Sequence, residues 1–120
     1  LSSDIIYGTP ERFAKAVSEN PNLTFIIAHL GGMKMWNDVE KYLAGKFDNL
    51  YFDTSCLSRY IKPQTFYNII KIQTPEKILF GSDSPWDSPA DIAKIINGFN
   101  LSDYEKEQIF CLNAKKLLNI

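Results

Sequence analysis

The sequence predicts an α/β fold, about three parallel strands with flanking helices, formed as a single domain over residues 1–120 that is either a small open sheet or a partial domain of something larger. Two observations carry this. Three short apolar runs, residues 24–28 (TFIIA), 50–54 (LYFDT) and 77–81 (KILFG), start 26 and 27 residues apart, close to one strand–helix unit each. Segments with helix caps and apolar residues at helical spacing alternate with them. Within the strand runs apolar residues fall on both sides of the pleat, which predicts a sheet covered on both faces, the habit of parallel sheets.

Each helix has its own signals. Thr9 can cap a first helix that Pro10 opens, with Phe13, Ala16 and Val17 as its apolar stripe and Asn20-Pro21 as its stop. Asn37 and Glu40 read as a capping-box variant starting a second helix. Val39 and Leu43 face inward there, and Gly45 stands where a left-handed residue would end it. Pro63 opens a third helix with Phe66, Ile69 and Ile70 on one face, ending before Pro75. A fourth runs from Ser88-Pro89 to Gly98. The fifth starts at the capping box formed by Ser102 and Glu105, passes through Ile109, Leu112 and Leu117, and is expected to be the longest.

Composition narrows the function. Thirteen Lys and Arg against fourteen Asp and Glu give a net charge of −1, so there is no electrostatic surplus to hold nucleic acid or an anionic membrane. No apolar run approaches the roughly 20 residues of a membrane span, and Leu1-Ser2-Ser3-Asp4 lacks the basic and apolar regions of a leader, so the expected setting is cytoplasmic. Cys56 and Cys111 are two thiols in an ordinary composition and form no disulfide framework.

Parallel α/β folds gather reacting groups at the carboxyl edge of the sheet. His29, the only histidine, follows the first run and precedes Leu30-Gly31-Gly32, while Asp83 leaves the third run just before Ser84-Pro85-Trp86. Each also has an ordinary role open to it: an imidazole can be a hydrogen-bonded core group, and an aspartate suits a turn or a helix cap. Asp53 reads as structural, bonded to nearby amides or Thr54. Trp36, Trp86 and Arg59 are candidates to line a pocket, and Cys56 faces the same edge with nothing in its neighbourhood to lower its pKa.

Residues 25–32 (FIIAHLGG), 50–55 (LYFDTS) and 77–86 (KILFGSDSPW), with Asn113-Ala114 and Leu117-Leu118, together resemble the last part of the amidohydrolase-2 family of TIM-barrel metal-dependent hydrolases and related decarboxylases. The resemblance implies the C-terminal portion of a (β/α)8 barrel, its strands six to eight. Three strands do not close such a barrel, which takes about 250 residues. It also implies that Asp83 binds a divalent metal, zinc by family habit. His29 matches a histidine that is a ligand in two-metal relatives and acts on the substrate, or as an acid–base partner, in one-metal relatives; the second role is preferred. The implied reaction is attack of metal-activated water on a C–N or C–O bond. The alternatives are nonoxidative decarboxylation of an aromatic or unsaturated acid, for which Arg59 is the one arginine near a strand end, and a catalytically dead binding module. The remaining metal ligands are missing, because one histidine makes no His-x-His pair. The expected partners are a small-molecule substrate, no nucleic acid, no membrane, and either further copies of the chain or an N-terminal portion outside it.

Overall fold

A computed structural model of the chain describes residues 6–120. The opening run 1–4, read above for leader features, lies outside the described residues. Phe25–Ile27 (β1), Leu50–Asp53 (β2) and Ile78–Leu79 (β3) make one parallel sheet in the order β1-β2-β3. Its register sets Ile27 beside Phe52 and Phe52 beside Ile78. Parallel neighbours require a crossover. Pro10–Glu19 (α1) precedes the sheet, Trp36–Tyr42 (α2) joins β1 to β2, and Pro63–Gln73 (α3) joins β2 to β3. Pro89–Asn97 (α4), Asp103–Glu107 (α5) and Asn113–Leu118 (α6) follow.

The helices begin where short polar side chains satisfy their first amides. Thr9 Oγ1 accepts from the Arg12 amide ahead of α1, Ser88 Oγ from the Asp91 amide ahead of α4, and Ser102 and Glu105 close a reciprocal capping box on α5. The second helix differs from expectation. It starts at Trp36 with Met35 at the cap position, and Asn37 lies inside it without capping. The indole of Trp36 donates to the His29 carbonyl at 3.1 Å, which draws Trp36 into the first turn. Gly45 does hold a left-handed φ of 72°, where a Cβ would sit 2.8 Å from the Ile72 carbonyl oxygen.

The third strand is shorter than its apolar run. Pro75–Lys77 forms a 3-10 turn, and beyond Leu79 the amides leave the ladder: Phe80 N–H donates to the Ile109 carbonyl and Gly81 N–H to Thr54 Oγ1. The long last helix forms from Asp103 to Leu118, but Gln108–Leu112 is a π turn between α5 and α6.

Ile27, Leu50, Phe52 and Ile78 pack into one cluster with Val39, Leu43, Phe66, Ile69, Ile70, Ile92 and Ile96 from the helices. The other face carries Ile26, 52% exposed, with Tyr51, Asp53 and Leu79, none of them buried. Among the described residues the helices cover one face only, so the expectation of a sheet covered on both faces is corrected. No helix among the described residues is long and apolar enough to cross a membrane.

Candidate active site

All three strands point the same way, so their exits share one edge. A non-glycine residue in left-handed backbone follows each: His29 (φ 57°) after β1, Cys56 (φ 57°) after β2 and Asp83 (φ 61°) after β3. Such a conformation costs a side-chain-bearing residue about 1–3 kcal/mol and persists only where the surroundings fix it. His29 and Asp83 thus leave the two outer strands at the same rim, with the exit of β2 between them.

His29 is held at three points. Its amide donates to Asp53 Oδ1 at 3.1 Å, its carbonyl accepts from Trp36, and ring Nδ1 lies 3.0 Å from the Ser55 carbonyl oxygen and 3.2 Å from Ser55 Oγ. Asp53 Oδ1 also accepts from the Ser55 amide at 3.0 Å and from Ser55 Oγ–H. Asp53 therefore takes nearby amides, as an aspartate two residues before its partner does in an Asx turn, and joins β1 to the exit of β2 as well. Gly31 (φ 93°) lets the loop close over the sheet, since a Cβ there would meet Val39 Cγ1 at 2.8 Å and the Phe52 ring at 3.1 Å.

The exit of β3 is tied to the same loop. Thr54 Oγ1 donates to the Gly81 carbonyl at 2.9 Å and accepts from its amide at 3.0 Å, and the Cys56 amide donates to the Ser82 carbonyl at 3.1 Å. Asp83 is exposed, and its carbonyl accepts from the Trp86 amide. Burial pushes the Cys56 thiol pKa up, and the charges of Asp83 and Asp87 push it further against the pull of Arg59, which leaves Cys56 poorly suited to nucleophilic attack.

Asp87 and Ser55 are site-edge residues that the sequence reading did not single out. The Asp87 carboxylate accepts from the Ser58 amide at 2.8 Å, from Ser58 Oγ–H and from the Ser88 amide at 2.7 Å, bracing the β2 loop against the start of α4. Of the pocket candidates, Trp36 lines a groove of about 500 Å³ together with Lys34, Tyr60, Lys62 and Thr65. The Lys34 ammonium sits 4.9 Å from the centre of the Tyr60 ring. Arg59 is exposed, and Trp86 is 72% exposed.

The described residues supply only part of a metal site. Among the described residues no three His, Cys, Asp or Glu side chains are placed to hold an ion. His29 and Asp83 are two donors, and a catalytic zinc site takes three from protein.

The Amidohydro_2 profile, described as amidohydrolase, matches residues 2–120. No curated protein matches the sequence. Among solved structures, Amidohydrolase 2 from Bifidobacterium longum subsp. infantis aligns over 92% of this chain and 46% of its own, with TM-score 0.70 and 24% identity. An amidohydrolase from Burkholderia multivorans with bound zinc aligns over 92% and 50%, with TM-score 0.73 and 15% identity. A dihydroxybenzoic acid decarboxylase from Polaromonas, with bound manganese and the inhibitor 2-nitroresorcinol, aligns over 92% and 38%, with TM-score 0.65 and 22% identity. The chain thus spans between about a third and a half of the solved structures it resembles. The three βα units described above correspond to part of a TIM barrel.

Proposed function

From the premise that this chain belongs to the amidohydrolase family, we propose that it supplies strands six to eight of a metal-dependent hydrolase barrel that splits a C–N or C–O bond of a small molecule. The first strands and the remaining metal ligands come from residues outside this sequence. Asp83 is one carboxylate ligand of a divalent ion, and His29 moves a proton to or from the reacting group. A cytoplasmic setting belongs to the same reading, supported by the free thiols of Cys56 and Cys111.

One observation carries the proposal: an imidazole and a carboxylate leave the two outer strands at a single rim, each in a backbone conformation that costs free energy to hold. Neither residue needs that conformation to fill a core. His29 is half-buried and Asp83 exposed, so both are open to a ligand.

The test uses the intact enzyme that carries this sequence. Asp83→Asn is expected to lose bound metal and most turnover while staying folded by circular dichroism; unchanged turnover would refute its role. His29→Asn is expected to keep its metal and lose turnover by roughly 10²–10⁴, the usual worth of a positioned acid–base group. Parallel loss of metal in that variant would make His29 a ligand instead.

A second reading, decarboxylation of an aromatic acid, is favoured by the groove beside the His29 loop. Trp36 and Tyr60 offer aromatic faces, and Lys34 and Lys62 offer cations for a carboxylate. The likeness to the Polaromonas decarboxylase supports it. Release of carbon dioxide from a hydroxybenzoate, without hydrolysis of amide or ester substrates, would decide for this reading.

A further inference from the structure

The contacts of the His29 ring determine which of its nitrogens carries the proton. A carbonyl oxygen can only accept, and Nδ1 lies 3.0 Å from the carbonyl oxygen of Ser55. The second neighbour, Ser55 Oγ at 3.2 Å, has its own proton committed to Asp53 Oδ1, because a carboxylate also only accepts. Oγ therefore turns a lone pair toward Nδ1 as well. Two acceptors converge on one ring nitrogen, and a bare Nδ1 would face them lone pair to lone pair. Among the described residues Nε2 has no hydrogen-bond partner, and no buried side-chain nitrogen or oxygen lacks one, which makes Nε2 the accessible nitrogen.

We propose that Asp53 and Ser55 are positioning residues that hold His29 as the Nδ1–H tautomer, so that neutral His29 presents a lone pair at Nε2. Asp53 acts through two arms: it orients Ser55 by accepting from its amide and hydroxyl, and it fixes the backbone of His29 by accepting from that amide. The inference deepens the functional reading above and rests on it for what the lone pair does: His29 enters the reaction as a base at Nε2. The tautomer itself follows from the hydrogen bonds alone.

In the intact ¹⁵N-labelled enzyme that carries this sequence, the ring nitrogens of His29 can be observed by long-range proton–nitrogen correlation at a pH where the ring is neutral, its signals being those that vanish in His29→Asn. Histidine free in water prefers the proton on Nε2, so the expected spectrum, pyrrole-like Nδ1 and pyridine-like Nε2, is the reverse of the solution preference. A wild-type ring protonated on Nε2 overturns the inference. Asp53→Ala, which releases both arms, is expected to return the ring to the solution mixture; retention of the wild-type tautomer overturns the part given to Asp53. Ser55→Ala keeps the carbonyl acceptor and loses the hydroxyl, so a smaller excess of Nδ1–H is expected, and an unchanged excess overturns the part given to Oγ. This readout is separate from turnover. A His29→Asn enzyme of full activity would refute the functional reading and leave the tautomer standing, whereas an Nε2–H ring in an enzyme that needs His29 would do the reverse.

Discussion

Asp87 is 5% exposed, and its carboxylate gathers three hydrogen bonds. Burial alone pushes its pKa up, but donation from the Ser58 hydroxyl and amide and the Ser88 amide, with the charge of Arg59, outweighs burial and holds it below the ordinary value. A carboxyl with a lower pKa folded than unfolded adds stability that is complete above the unfolded value of about 3.9 and is lost as pH falls through the folded value. Asp87→Asn is therefore expected to cost about 1–3 kcal/mol at neutral pH, with parent and variant converging in acid. Urea midpoints across a pH series check this; curves that stay parallel would refute it. At this scale the sequence was partly legible. The spacing of Asp53 and Ser55 belongs to a local turn and can be read from two residues. That Asp53 also grips the His29 amide depends on the pairing of β1 with β2 across 24 residues, and Asp87 meets Ser58 across 29, distances at which local pattern carries no signal.

The last helical segment shows what element-scale reading captures and what it misses. Its capping box and apolar spacing gave the start and the path from Asp103 toward Leu118. The π turn at Gln108–Leu112 left no mark, since Ile109 and Leu112 fit an α-helical stripe equally well. The turn widens one loop of the helix, and the Ile109 carbonyl accepts from the Phe80 amide just past β3. One turn on, Asn113 Nδ2 donates to the Pro75 and Ile78 carbonyls at 2.7 and 2.8 Å. The helix thereby satisfies the start and the exit of β3, which explains how a strand of only two ladder residues keeps its place and aims Asp83. Asn113→Ala would leave those carbonyls without their partner and is expected to lose about 1–3 kcal/mol, with faster amide exchange at Phe80 and Gly81. Exchange at those amides as slow as in the parent would refute the account.

For the whole chain, the sequence specified a sheet with two covered faces, and the described residues cover one. Apolar character at Ile26, Tyr51 and Leu79 suits the inner face of the barrel seen in the solved structures this chain resembles, a face that the described residues leave open. At the open edge β1 and α1 border an apolar groove of about 320 Å³ that includes Phe13, Val17 and Ile26. An unpaired strand edge beside exposed apolar surface favours association. The chain on its own is expected to self-associate, and Ile26→Lys to shift it toward monomer in sedimentation velocity; a parent that is monomeric at every concentration would refute this. The left-handed residues at the three strand exits also set how mutational scans of this rim should be zeroed. The native residues at 29, 56 and 83 already carry the Cβ cost of that torsion and alanine keeps it, whereas glycine would relieve about 1–2 kcal/mol of it, so a glycine scan would mix a gain in stability with whatever chemistry it deletes. Alanine and asparagine, which keep a Cβ at that torsion, are the blanks against which those three sites can be compared.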